Sequence, residues 1–243
     1  SSSITLDWIG FSTTVLAERL GEAAILLDQV FSSPALGDQL IIAERSLLTE
    51  EAQQVADDMF RFPFQLAFRE AFGDHGYGLP ALGLPETLPA IQPSDVRAWH
   101  ESVVLAERPV VIAVGELDER RASDLLAGVF SRYPSRDTRE QSANVGWLPD
   151  TEPKRRIIER QKTQSALAMA FPGPSRRSSE RYAPDVWAAV ASGLGGRLFE
   201  ALRDRRSLAY TVLASSWQKA RCGAIVTSIA SSPDRDIVAR GAM

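Results

Sequence analysis

The run from Gly193 to Tyr210 limits what this chain can become more than any other stretch. It reads Gly-Leu-Gly-Gly-Arg-Leu-Phe-Glu-Ala-Leu-Arg-Asp-Arg-Arg-Ser-Leu-Ala-Tyr. Its glycines break regular structure and mark a hinge. Leu198, Phe199, Leu202 and Arg203 then follow at the spacing of one face of a short helix. An arginine-rich corner comes next, and Tyr210 stands before the β-branched pair Thr211 and Val212. Such a corner can aim the guanidinium of Arg203 and the phenol of Tyr210 at one point, and both are donors for a carbonyl oxygen. Taken alone, Arg203 equally suits a helix cap and Tyr210 a half-buried strand position.

The rest of the chain predicts alternating helices and strands. Residues 2–16 alternate in polarity and read as a strand, and 17–31 as a helix closed by Ser32-Ser33-Pro34. A long helix follows over 37–57, then a second over 59–72 with Pro63 in its first turn. Gly73-Asp-His-Gly-Tyr-Gly78 is a turn. Ser94 reads as the N-cap of a helix over 95–105, and Asp118 as that of a helix reaching Phe130. Residues 109–115, Pro-Val-Val-Ile-Ala-Val-Gly, read as a central buried strand. Further strands are expected at 155–161, 164–171, 208–217 and 222–231, a helix at 179–192, and another beginning at Asp234.

Polar residues dominate 132–153, the candidate linker. The expected organisation is therefore a first domain over 1–131, a linker over 132–153 and a second domain over 154–243. The chain opens on a strand followed by a helix and closes the same way, as if one unit were repeated in a shifted frame. With 243 residues, 44% of them apolar, there is material for a sizeable core. A charge of −4, from 27 basic and 31 acidic residues, and the lack of an aromatic-laced basic patch argue against a nucleic-acid partner. No apolar run is long enough for a membrane span. The single cysteine, Cys222, excludes an intrachain disulfide.

The hinge-and-corner run resembles the second half of the M16 metallopeptidases, the pitrilysin, insulysin and mitochondrial-processing-peptidase family. There a Gly/Ser-rich segment precedes Arg-Leu-Phe, Leu-Arg and Leu-Ala-Tyr. Glu44-Arg45, Glu50-Glu51 and Phe72-Gly-Asp-His-Gly-Tyr-Gly78 follow the family's order and spacing as well. The resemblance implies an α+β fold of tandem, related domains, both incomplete here, with mostly antiparallel sheets and helices on one face. It implies a zinc-dependent endopeptidase acting on extended or unfolded polypeptides.

By the same resemblance, Arg203 and Tyr210 hold the scissile peptide, Glu51 is a zinc ligand, and Glu44, two turns earlier on the same helix face, supports the site. Read without it, both glutamates suit a solvated helix face. The family's two zinc histidines lie in His-x-x-Glu-His, where the intervening Glu activates the metal-bound water. Neither His75 nor His100 lies in that pattern. His75 reads as a turn residue and His100 as structural. The chain is thus expected to be a fragment whose zinc histidines lie upstream, or a degenerate copy. It is expected to be inactive and metal-free by itself. The alternative is a non-catalytic subunit that binds peptide or pairs with an active M16-like chain, as a homo- or heterodimer. A bacterial cytoplasm or periplasm is the expected compartment.

Overall fold

The computed structural model describes residues 1–74, 76–106, 109–133, 152–193 and 195–235. His75, most of the candidate linker and the stretch after Arg235 lie outside them. The chain divides into two compact units, Ser1–Thr49 with Pro85–Ser142, and Glu50–Leu84 with Ala143–Met243.

The first unit opens on a hairpin of β1 (Ser2–Ile4) and β2 (Ile9–Phe11), paired antiparallel with Ile4 opposite Ile9. The alternation over 2–16 therefore belongs to a hairpin and not to one strand. Thr5 makes the turn: its Oγ1 accepts from the amides of Asp7 at 3.2 Å and Trp8 at 3.1 Å, bonds that end the strand locally.

Helix α1 (Leu20–Ser32) packs on α5 (Glu119–Phe130), as their elements' facing residues show. Phe31 meets the edge of Tyr133 at 5.1 Å, and the Tyr133 hydroxyl donates to Asp28 Oδ1 at 2.7 Å. Asp118 caps α5 as expected, accepting from the Arg121 amide at 2.7 Å. Helix α4 (Pro93–Trp99) is capped by Gln92 and Asp95, with Pro93 at its first position, not by Ser94. Proline suits that position because its missing N–H is unneeded there. A wide turn over His100–Val104 continues it. The His100 ring bonds the Phe31 carbonyl at 2.8 Å, which makes it a structural tie.

Two expected strands are absent. Residues 109–114 have no strand partner among the described residues, and Val110, Ile112 and Val114 are 85%, 79% and 92% exposed. Residues 155–161 are likewise irregular. An apolar run becomes a strand only where another strand satisfies its backbone, and sequence composition does not supply that neighbour.

The second unit carries the main sheet. Strands β3 (Ser165–Gly173), β4 (Thr211–Gln218) and β5 (Gly223–Ser231) form an antiparallel sheet in the order β3-β5-β4. Leu167, Ile229 and Val212 lie side by side on one face, over the buried Leu202, Leu208 and Ala209. Helix α6 (Tyr182–Ala191) packs against β4. On the other face β3 presents Ala166, Ala168 and Ala170, small residues that let α3 (Arg61–Phe72) approach. Phe68 and Phe72 of α3 lie 4.6 and 5.7 Å from the ring of Trp217, and Tyr77 closes the cluster at 5.5 Å. The core of this unit is thus an aliphatic layer on one side of the sheet and an aromatic layer on the other.

Candidate functional site

The site is built where α6 turns back towards β4. Gly193 takes φ +87°, a conformation that favours glycine. A Cβ on Gly196 would stand 2.4 Å from the Ser192 carbonyl oxygen, so only glycine allows the chain to fold back this closely. The Ser192 hydroxyl accepts from the Ala214 amide at 3.3 Å and fastens the hinge to β4.

The chain then forms α7 (Arg197–Phe199) and a wide helical turn over Glu200–Asp204. Leu202 is wholly buried and anchors this turn in the aliphatic layer. Ser207 takes φ +49°, unfavourable for a residue with a Cβ. The corner holds it there: its amide donates to the Arg203 carbonyl at 2.9 Å, and its carbonyl accepts from Arg235 Nη1 at 2.7 Å. Leu208 N–H returns to the Leu202 carbonyl at 2.7 Å, and Ser231 Oγ donates to the Leu208 carbonyl.

These bonds bring Arg203 and Tyr210 together. Arg203 Nη1 donates to the Tyr210 carbonyl at 3.0 Å, while its guanidinium lies 4.9 Å from the centre of the Phe199 ring. The Tyr210 amide donates to the Ala230 carbonyl at 2.8 Å, which ties the residue to the sheet. Tyr210 itself is 61% exposed, and no hydrogen bond of its hydroxyl occurs among the described contacts. The pair thus offers an exposed guanidinium and an exposed phenol at the start of a sheet-edge strand. Both can donate to an oxygen carrying negative charge.

Glu44 and Glu51 lie on α2 (Asp38–Val55), seven residues apart, and both are exposed. Glu51 Oε1 is 3.6 Å from Arg61 Nη1, with both side chains about half exposed. Arg61 is held more tightly by Asp58: Nε donates to Oδ2 at 2.6 Å, and the Arg61 amide donates to Oδ1 at 2.9 Å. The bonds from the Arg61 amide and guanidinium hold the Asp58 carboxyl below its usual range, and the Arg61 guanidinium is raised chiefly by its bond to Asp58.

The described residues do not complete a zinc site by themselves. A cation beside Glu51 would meet the Arg61 charge. His100 is committed to Phe31, and no group of three His, Cys, Asp or Glu among the described residues could hold a metal. The Arg61 partnership was not foreseen from sequence. Its only signal is Asp58 three residues before Arg61, a spacing that marks a helix start.

The chain combines helices with an antiparallel sheet. It belongs to the M16 peptidase family, since residues 90–240 match the Peptidase M16 inactive domain. It is 26% identical over 213 residues to an uncharacterized zinc protease of Mycobacterium tuberculosis, covering 87% of this chain and 48% of that one. An uncharacterized zinc protease of Streptomyces coelicolor is 25% identical over 222 residues, covering 89% and 48%. The chain thus spans about half the length of the curated relatives it matches. The beta subunit of the mitochondrial-processing peptidase of Blastocladiella emersonii is 22% identical over 120 residues, covering 49% and 26%.

Among solved structures, a protease from Helicobacter pylori superposes with a TM-score of 0.81 at 15% identity, covering 93% of this chain and 56% of that one. A peptidase M16 inactive domain from Pseudomonas fluorescens gives 0.75 at 20% identity, covering 90% and 54%. These likenesses show the fold. No helix among the described residues is long and apolar enough to cross a membrane.

Proposed function

We propose that this chain supplies the substrate-holding side of an M16-type zinc endopeptidase. Arg203 and Tyr210 donate to the carbonyl of the bond to be cut, and to the oxyanion that develops on it. Donors fixed beforehand do this best, because they need no rearrangement as charge forms. The observation that carries the reading is the bond from Arg203 to the Tyr210 carbonyl, which fixes both residues on one exposed corner. The names of the curated relatives support it.

The substrate in this reading is an extended polypeptide that adds as a strand to the outer edge of β4, using main-chain hydrogen bonds. No strand pairs with that edge among the described residues. A zinc ion would need ligands beyond the described residues, and Glu51 could offer it one carboxylate if freed from Arg61. Glu44, on the same helix, is the other acidic residue of this reading. The chain alone is inactive.

A second reading is a non-catalytic subunit that holds peptide, or partners an active chain as a homo- or heterodimer. The match to an inactive domain favours it. The two readings part on one experiment with the protein that carries this chain. Turnover of an unstructured peptide that falls with Arg203→Ala, while zinc content stays constant, supports the peptidase. Peptide binding without turnover in the metal-loaded protein supports the subunit.

A further inference from the structure

Five basic side chains at the far end of β4 take no part in the site above. Arg176, Arg177 and Arg181 belong to the connection from β3 to α6, and Lys219 and Arg221 to the turn from β4 to β5. The two segments are locked together. The Arg176 amide donates to the Lys219 carbonyl at 2.9 Å, and Arg176 Nη2 donates to the Gln218 carbonyl at 3.4 Å. Arg181 Nη1 donates to the Arg176 carbonyl at 3.0 Å. The approach depends on glycine, since a Cβ on Gly223 would stand 2.1 Å from the Pro174 carbonyl oxygen.

The carboxylates beside them are Glu180 on the first segment and Asp185 on the first turn of α6, and Asp185 accepts from Gln218 Nε2 at 3.2 Å. Five cations against two carboxylates make a basic rim on a chain whose formal charge is −4. Arg176, Arg177 and Arg221 are exposed, and the Lys219 ammonium is held 5.1 Å from the Trp217 ring centre. Because the backbone is clamped, little order is lost when the rim meets an anionic partner.

We propose that this rim recognises an acidic stretch of the polypeptide substrate. The inference rests on the reading above for the path of that substrate along β4. Strand β4 has 8 residues between Tyr210 and the rim. At about 3.4 Å per residue, an extended chain covers about 27 Å over that distance. A polypeptide whose reacting carbonyl sits at Arg203 and Tyr210 therefore brings a residue about eight positions away to the basic rim. Opposite charge there speeds encounter and fixes register.

The test uses the protein that carries this chain and two fluorescent, unstructured peptides. They differ only in three acidic residues, replaced by their amides, centred about eight positions from the cut bond. Anisotropy at low salt is expected to show about tenfold tighter binding of the acidic peptide, with the difference collapsing at high salt. Arg177→Glu with Arg221→Glu is expected to abolish the difference, while turnover of the amide peptide stays unchanged. Arg177→Gln with Arg221→Gln gives an intermediate effect and guards against a folding defect. Equal affinity for the two peptides overturns the proposal, as does a preference that survives charge reversal. Stronger binding of a single-stranded oligonucleotide of equal charge overturns it too. Charge-dependent binding without cleavage of either peptide upholds the rim and rejects the peptidase reading.

Discussion

The guanidinium of Arg203 donates to the backbone carbonyl of Tyr210 at 3.0 Å, and not to the Tyr210 side chain. The arginine therefore positions the tyrosine through its main chain and leaves the phenol available. The same guanidinium rests on Phe199, one turn earlier, so its plane is fixed from two sides. Arginine suits this role because its flat fork can stack and donate at once.

Tyr210→Phe removes a hydroxyl for which no bond occurs among the described contacts. Stability should change by less than about 0.5 kcal/mol, as for other exposed substitutions. If the phenol stabilises an oxyanion, kcat should fall by about a hundredfold, in the range seen when one such donor is lost. Arg203→Lys should lower kcat as well, since a lysine lacks the fork needed to hold Tyr210 while offering a second donor. Steady-state kinetics beside thermal melts check both. Unchanged turnover in both variants would remove the pair from the mechanism.

Leu202→Ala tests whether the corner depends on its anchor. Leu202 is 0% exposed and packs with Leu208, Ala209 and Ile229. Truncation should cost about 2–5 kcal/mol, read as a melting point lower by about 5–15 °C. Its neighbour Arg203 is exposed, and Arg203→Ala should cost far less. Similar losses in a denaturant titration would mean that Leu202 does not anchor the turn.

The legible parts of this fold are those whose signal is local. In β3, Ala166, Ala168 and Ala170 alternate with Leu167, Met169 and Phe171, and that pattern yields both the strand and its two different faces. Asp118 before α5 announced its own cap. The Gly193–Gly196 hinge was likewise readable, because it is a local signal, whereas the bond of Arg203 to the Tyr210 backbone carbonyl, in place of a guanidinium and phenol aimed at one point, was not. What escaped depends on distant partners. Residues 109–114 have the composition of a buried strand, yet strand formation needs a neighbour that composition does not name. The bond between Glu51 and Arg61 spans a helix break, and the basic rim joins loops about forty residues apart along the chain. Periodicity reports on one element at a time, so neither was visible in it.

Glu51 and Arg61 make opposing predictions for metal content in the protein that carries this chain. Glu51→Gln should lower bound zinc, because an amide is a poorer ligand than a carboxylate. Arg61→Gln should raise apparent zinc affinity, because it removes the cation 3.6 Å from that carboxylate. Atomic-absorption stoichiometry and a chelator competition measure both. Zinc content indifferent to both changes would leave Glu51 as an exposed partner of Arg61 only. Such an ion pair is worth at most about 1 kcal/mol.

The irregular segment before β3 is tethered to the end of α2 by charge, and that tether should depend on pH. Lys162 Nζ donates to Asp57 Oδ1 at 3.0 Å, and Arg160 Nη1 lies 3.7 Å from the same oxygen. Arg160 also donates to the Ala56 carbonyl and lies 4.4 Å from the centre of the Phe62 ring. The bond from Lys162, and then its charge, hold the Asp57 carboxyl below its ordinary 3.8. A folded value lower than the unfolded one means the contribution is complete above 3.8 and disappears as pH falls through the folded value. Near neutral pH the tether should therefore be insensitive to pH but weakened by salt, since these charges are exposed. A carbon-13 NMR titration of Asp57 should give a midpoint below 3.8 that rises in Lys162→Gln. A midpoint unmoved by that substitution would show that Lys162 does not hold the carboxylate in solution.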